Sequence, residues 1–293
     1  METRDGKKTV KGIHWISKPL GDDSLVCYSN GKTRGYFNML TGEIAIKPQY
    51  KHAWIFSDGL ASVEDNGMIK FIDAKGNVVI DLSIPYVKGT EGYVFHNGYC
   101  VIHNNKRDKF GLIDKKGNWM LKAEYDAITP NDSFFIVSQG RKQSVLAKDL
   151  EPVLAFMEAK LRVSAGSINA TMKDHTLRKY NLKGELIDDF LISNVDGMLY
   201  NTDEIRYTTA KNYDDEGNLT GETAEAEPTP YQKTASCKKY EAEAGWFGLM
   251  SPSGKIITPP RYCDITAIGY DLYLCKTDDI RGEVLNGKGI RVR

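Results

Sequence analysis

The chain has almost none of the features that mark an enzyme, a nucleic-acid binder or a membrane protein. Its charge has no bias: 39 Lys and Arg stand against 39 Asp and Glu in 293 residues, a formal net charge of zero. That balance supplies no field to steer nucleic acid or an anionic membrane surface, and no Lys/Arg run exceeds two residues. The apolar stretches fall far short of the ~20 residues that span a bilayer. Met1–Lys8 is polar and charged with no apolar segment behind it, so no secretory signal is read. Cysteine is sparse, with five residues at Cys27, Cys100, Cys237, Cys263 and Cys275 and no Cys-x-x-Cys. An odd, scattered set argues against a disulfide framework or a zinc site and favours a reducing compartment, the cytoplasm. A cell-envelope location stays open for a chain trimmed of its leader.

The signatures of chemistry are missing as well. There is no Gly-x-x-x-x-Gly-Lys-Ser/Thr, no Gly-x-Ser-x-Gly and no His-Glu-x-x-His. His96 and His103 flank the apolar run Tyr99–Ile102 seven residues apart, which in an extended strand puts them on opposite sides. His14, His52 and His175 have no ligand-type neighbours in the sequence. Tyr213-Asp214-Asp215-Glu216-Gly217-Asn218 has the acidity of a calcium loop without its alternation or its distal Glu, and reads as a hairpin turn with a solvated rim. Cys100 and Cys275 lie in apolar runs where other copies of the pattern hold Ala61 or similar residues, as small core side chains do. No catalytic, cofactor-binding or metal-binding residue is assigned. No cofactor is expected, and the chain is expected not to be an enzyme.

What the sequence does hold is an internal period. Phe56-Ser57-Asp58-Gly59-Leu60-Ala61-Ser62-Val63 precedes Phe71-Ile72-Asp73-Ala74-Lys75-Gly76-Asn77. Phe95-His96-Asn97-Gly98-Tyr99-Cys100-Val101-Ile102 precedes Phe110-Gly111-Leu112-Ile113-Asp114-Lys115-Lys116-Gly117-Asn118. The shared order is aromatic, polar pair, Gly, apolar run, polar loop, apolar strand, then Asp-x-x-Gly. Equivalent turn positions are Gly42, Gly76, Gly117, Leu150, Gly184, Gly217 and Gly254, in steps of 34, 41, 33, 34, 33 and 37 residues. An aromatic recurs about eight residues later at Tyr50, Tyr125 and Tyr262. Within each unit, runs of four or five β-branched and aromatic residues are bounded by Gly, Asn, Asp and Pro, the pattern of short strands and hairpins. Pro152–Leu161 is the one stretch rich in helix formers. Thr220–Ala244, poor in large apolar residues and containing Pro228 and Pro230, reads as a flexible insertion.

Gly245-Trp246-Phe247-Gly248-Leu249-Met250-Ser251-Pro252-Ser253-Gly254-Lys255-Ile256-Ile257, together with Lys109–Tyr125 and Gly35–Val63, resembles the WG (KWG) repeat family. That pattern runs Trp-Gly-hydrophobic-Ile-Asp, two residues, Gly-Lys, an apolar pair, a Pro–Tyr stretch, then Phe-Ser-x-Gly-Leu-Ala-x-Val. The copies here are degenerate, with Phe110 in place of the Trp in one and Trp246 shifted by one in another. The resemblance covers Lys32–Gln139 and Gly245–Lys276. It implies a repetitive β protein, mostly bacterial, that binds partners, and it brings no catalytic residues.

The expected fold is a single all-β domain over residues 1–293, of tandem ~34-residue units of short antiparallel strands. At the ends, Ser24-Leu25-Val26 stands where Gly59-Leu60-Ala61 stands in its unit. Gly287–Val292 reads as a first strand cut off before its turn. Pairing these two ends would close seven or eight units into a β-propeller-like ring and remove the sheet edges. The alternative is an open β-solenoid or arc. The expected function is a non-catalytic binding or scaffold role toward a protein or peptide. A glycan-binding or glycan-processing role at a bacterial envelope is the alternative, so carbohydrate is a possible partner. Nucleic acid and a membrane span are not expected. Carboxylates and an aromatic ring converging in one pocket would favour the glycan role.

Overall fold

A tight hairpin needs a residue at positive φ, and the residues placed at the repeat turns are all found there. In the computed structural model of the chain, Gly42, Gly76, Gly117, Leu150, Gly184, Gly217 and Gly254 have φ of 69°, 85°, 83°, 72°, 83°, 84° and 91°. The residues described are 12–18, 24–89, 92–164, 166–199, 205–228, 237–269 and 271–292, and every regular element among them is a β-strand. They fall into two compact units, Met1–Arg141 with Leu146–Pro152, and Lys142–Val145 with Val153–Arg293.

In the first unit, β1 (Trp15–Ile16), β2 (Leu25–Ser29), β3 (Arg34–Asn38) and β4 (Ile44–Tyr50) form a four-stranded antiparallel meander. Next come β5 (Ala61–Asp65), β6 (Met68–Ile72) and β7 (Val78–Pro85), completed by a short bridge from Ala53 to Val63. A third meander is β8 (Tyr99–His103), β9 (Phe110–Asp114) and β10 (Trp119–Tyr125). The fourth holds β11 (Ala127–Pro130), β12 (Phe134–Gln139), β13 (Lys142–Ala147) and β14 (Pro152–Met157), and the division between the units falls within β13.

The second unit continues with β15 (Ala159–Ser164), β16 (Ser167–Met172), β17 (Leu177–Tyr180) and β18 (Leu186–Asp188). β19 (Asn194–Met198) is followed by a long separate hairpin, β20 (Ile205–Tyr213) with β21 (Leu219–Pro228), whose strands pair only with each other. The sixth sheet then resumes: β22 (Lys238–Glu241) pairs with β19 and with β23 (Phe247–Met250), and Met250 bridges Ile256. The seventh is β24 (Asp264–Gly269), β25 (Leu272–Lys276) and β26 (Gly282–Asn286), with Leu285 bridging Arg291. Among the described residues, no sheet closes on itself into a barrel.

From the second sheet onward the repeat turn is built the same way, while in the first Gly42 N–H reaches back to Asn38 C=O and the loop is one residue longer. Gly76 N–H donates to Asp73 C=O and Asp73 N–H to Asn77 C=O, and the pair of bonds recurs around Gly117, Leu150, Gly184, Gly254 and Gly289 at 2.8–3.1 Å. This is the three-residue hairpin, a type I turn closed by one left-handed residue. Asp73 and Asp114 each accept two further backbone N–H groups and an Asn side-chain amide. Asn181 and Asn286 accept the same two backbone bonds in later sheets.

Three readings of the sequence change here. Gly217 turns the separate β20–β21 hairpin, while the seventh repeat turn is Gly289, 35 residues after Gly254. Gly287–Val292 is therefore the closing turn and last strand of the seventh sheet, not the first strand of another unit. Val292 N–H donates to Val284 C=O within that sheet. At the other end Leu25 pairs with Asn38, and β1 supplies the strand that the first unit was expected to lack. Both terminal stretches thus pair inside their own sheets, which removes the strand exchange invoked for closure. Pro152–Leu161, for all its helix formers, forms β14 and the start of β15 in keeping with the all-β expectation, because burial of Leu154, Ala159 and Leu161 in the sheet overrides their helix propensity. Within Thr220–Ala244 the structure has most of β21, then 229–236 outside the described residues, then β22 with Tyr240 fully buried.

Candidate binding site

Packing between successive sheets of the first unit sets where the site lies. Tyr36 meets Phe56 edge-on with centroids 4.7 Å apart, Phe71 meets Phe95 at 5.1 Å, and Tyr99 meets Phe135 at 4.7 Å. In each pair the first ring stands on a strand of one sheet; Phe135 stands on a strand of the next, and Phe56 and Phe95 in the stretches that lead into the next. Edge-to-face geometry adds to the burial of these large rings, all but Tyr99 being at most 2 % exposed. Cys27 and Cys100 fill small gaps in the same cores, and burial pushes both thiols up to about 12. Burial does the same for Cys275 in the second unit.

A cavity of about 630 Å³ opens among β1, β3 and the stretches 53–55 and 92–94, all in the first unit. Trp15 and Ile16 form one wall, and both are nearly half exposed. Arg34 forms another; its Nη1 donates to Ala53 C=O at 2.9 Å and its guanidinium lies 5.1 Å over the Trp15 ring. Trp54 is fixed from two sides. Its C=O accepts the Tyr36 hydroxyl at 2.7 Å, and its indole lies on Gly92, where a Cβ would fall inside the ring. Ser17 also lines the cavity: it is 8 % exposed, and its Oγ is buried without a hydrogen-bond partner. Among the described residues, Lys18 and Arg34 are the charged groups of the lining. The hollow is therefore apolar with a cationic rim and one orphan hydroxyl.

The other residues weighed in the sequence are placed apart from it. His96 is exposed, while His103 Nδ1 meets the Tyr93 hydroxyl at 3.0 Å and Arg107 reaches the same hydroxyl at 3.2 Å. Burial and then the Arg107 charge lower the His103 pKa. His52 stacks on Tyr86 and His175 on Trp246. Asp214 accepts Glu216 N–H and Asn218 N–H within the hairpin turn. Among the described residues no three His, Cys, Asp or Glu side chains are grouped to hold a metal. Two carboxylates, Glu158 and Asp174, share an open hollow with Lys173 and Arg178, without a Tyr or Trp. The Thr176 hydroxyl bound to Asp174 lowers that carboxyl's pKa, which keeps it ionised rather than proton-donating. The Trp15–Arg34–Trp54 hollow was not legible in the sequence, because its walls come from stretches far apart in the chain.

Residues 35–68 and 110–142 match the model of the WG containing repeat. The chain carries WG repeats. Each matched stretch begins in the strand before one repeat turn, β3 or β9, and ends on the first residue of the strand before the next, β6 or β13, so the sequence repeat straddles two sheets. The Gly of the motif has a steric cause. A Cβ on Gly35 or Gly111 would lie 2.5 Å from the carbonyl oxygen of Ile46 or Leu121 on the neighbouring strand, where the register slips. The WG position for Trp is held by Arg34 in the first copy and Phe110 in the second. No curated protein sequence matches the chain. Among solved structures, BamB from Moraxella catarrhalis is similar at 11% identity and TM-score 0.33, over 92% of this chain and 80% of that one. Hsv2p from Kluyveromyces lactis is similar at 14% identity and TM-score 0.34, over 74% and 86%. Scores of that size do not equate two folds.

Proposed function

We propose that the chain is a non-catalytic binding module whose seven sheets form a closed propeller-like ring and whose first-unit cavity receives a protein or peptide partner. The observation that carries the binding role is the combination of an exposed Trp15, an Arg34 held by a main-chain carbonyl, and an unpartnered Ser17 hydroxyl around one apolar hollow. Its size lies in the ~300–1,000 Å³ range of ligand pockets. Trp, Tyr and Arg are the side chains enriched among those that dominate recognition energy, Trp through large rigid contact area and Arg through its planar, multiply donating guanidinium. With Lys18 and Arg34 as the charges of its described lining, the hollow suits an apolar or aromatic side chain flanked by a carboxylate. Supporting the ring are seven successive antiparallel meanders, six of which share one three-residue turn, the radial repetition that propellers use.

Selection of peptides from a random library on the native chain tests the binding role. Selected sequences should combine an apolar residue with Asp, Glu or a free C-terminus, and Trp15→Ala or Trp54→Ala should weaken them at least ~30-fold, the effect of a dominant contact of ~2 kcal/mol. Selected peptides that bind both variants as well as the native chain contradict it. Enrichment of oligosaccharides instead of peptides on the same surface favours the glycan role.

A further inference from the structure

The second unit holds a polar pocket that the binding role above does not use. On β15, Lys160 and Arg162 alternate with the buried Ala159 and Leu161, so the two cations project from one face. On β16, Asn169 and Thr171 alternate with the buried Ile168 and Ala170 in the same way. The register places Arg162 opposite Asn169 and Lys160 opposite Thr171, so four polar side chains form one cross-strand block. Leu177, Leu191 and the 243–244 stretch wall it into a cavity of about 360 Å³.

Its hydrogen bonding is incomplete in a particular way. The Asn169 carbonyl oxygen Oδ1 is buried and has no donor. A buried acceptor left without a donor costs about 1–3 kcal/mol. Lys160 and Arg162 make no hydrogen bond or ion pair with another described residue. The one carboxylate in the lining, Glu243, is engaged elsewhere: its Oε2 meets His175 Nδ1 at 2.8 Å, and that ring is stacked 3.5 Å from Trp246. The pocket therefore offers two cations to an anion, a buried acceptor and a hydroxyl to a donor, and two leucines to an apolar ring face.

From this we infer that the pocket binds a small hydroxylated carboxylate of the sugar-acid class, its carboxylate between Lys160 and Arg162 and a hydroxyl donating to Asn169 Oδ1. The sulfate dianion satisfies the cations but offers Asn169 no donor, and neutral sugars do the reverse. The pocket lies within the second unit and does not depend on the first-unit cavity.

The test is titration of the full chain with D-glucuronate and D-gluconate, followed by calorimetry and amide chemical shifts. Sulfate and methyl glucoside serve as the comparison ligands. Saturable binding of a sugar acid is expected, with shifts confined to β15–β17, weakened about tenfold by Arg162→Gln and by Asn169→Leu and unchanged by Trp54→Ala. Absence of saturable binding by both sugar acids overturns the inference. So does sulfate binding as tightly as glucuronate, which reduces the pocket to a cation pair. Arg162 is exposed, so its variant keeps the test valid should Asn169→Leu fail to fold.

Discussion

The Trp54 indole rests on the Cα of Gly92, with no space between them for even a methyl group. This one contact sets the depth of the first-unit cavity, because Trp54 is the wall that would otherwise swing. Gly92→Ala should push the ring off its seat and destabilise the chain by ~1–3 kcal/mol, the usual cost of overpacking. Urea unfolding followed by tryptophan emission reads both effects. An unchanged midpoint and spectrum would show that the ring has another resting place.

The repeat turns carry a pH dependence. Asp73 and Asp114 have pKa values lowered chiefly by the side-chain amides of Asn77 and Asn118, with their backbone N–H groups next. A carboxyl with a lowered folded-state pKa stabilises the fold above its ordinary value near ~4 and loses that contribution as pH falls through the lowered value. Asn181 and Asn286 already accept the equivalent backbone bonds without titrating. Asp73→Asn with Asp114→Asn should therefore leave the neutral-pH melting temperature almost unchanged and flatten its fall as the pH drops below the ordinary carboxylate value of about 4. A steep loss at pH 7 would mean that the charge, not the geometry, holds these turns.

The β20–β21 hairpin should be dispensable. Its strands pair only with each other, and Leu199 N–H donates to Cys237 C=O at 3.0 Å, so the two ends of the sixth sheet already meet beneath it. Replacing residues 201–235 with a short Gly-Ser linker should leave the melting temperature within a few degrees of the full chain. Loss of cooperative unfolding would place the hairpin among the structural strands.

Small-angle scattering decides between ring and arc. A closed ring of this length should have a radius of gyration near the compact-domain value of about 19 Å. An open array of seven sheets would be markedly larger, and such a value would contradict the proposed closure.

Much of this was legible in the chain because the turns obey a local rule. Asp-x-x-Gly, or Asn in place of Asp, is demanded by one left-handed residue and two N–H groups, and both are written in five consecutive residues. Leu150 could be placed by spacing alone, and its φ of 72° agrees. The failures come where the local rule is silent about partners. The turn at Gly217 has the same chemistry as the repeat turns, yet it closes a hairpin outside the repeat sheets, and nothing within the turn says so. Gly289 was misread because only four residues follow it, too few to show a returning strand. The first strands of the sheets were illegible for another reason: β1 has two residues and the stretch at Ala53 a single bridge, too short for any periodicity. Those short strands carry Trp15 and Trp54, and so the candidate site was hidden with them.

The binding role rests on Trp15 and Trp54 rather than on the chain's other two tryptophans, Trp119 and Trp246. In a spectrum of the four indole N–H groups, a peptide selected on the native chain should shift the signals of Trp15 and Trp54 and leave the other two in place. Shifts confined to Trp119 or Trp246, with Trp15 and Trp54 unmoved at saturation, would contradict it.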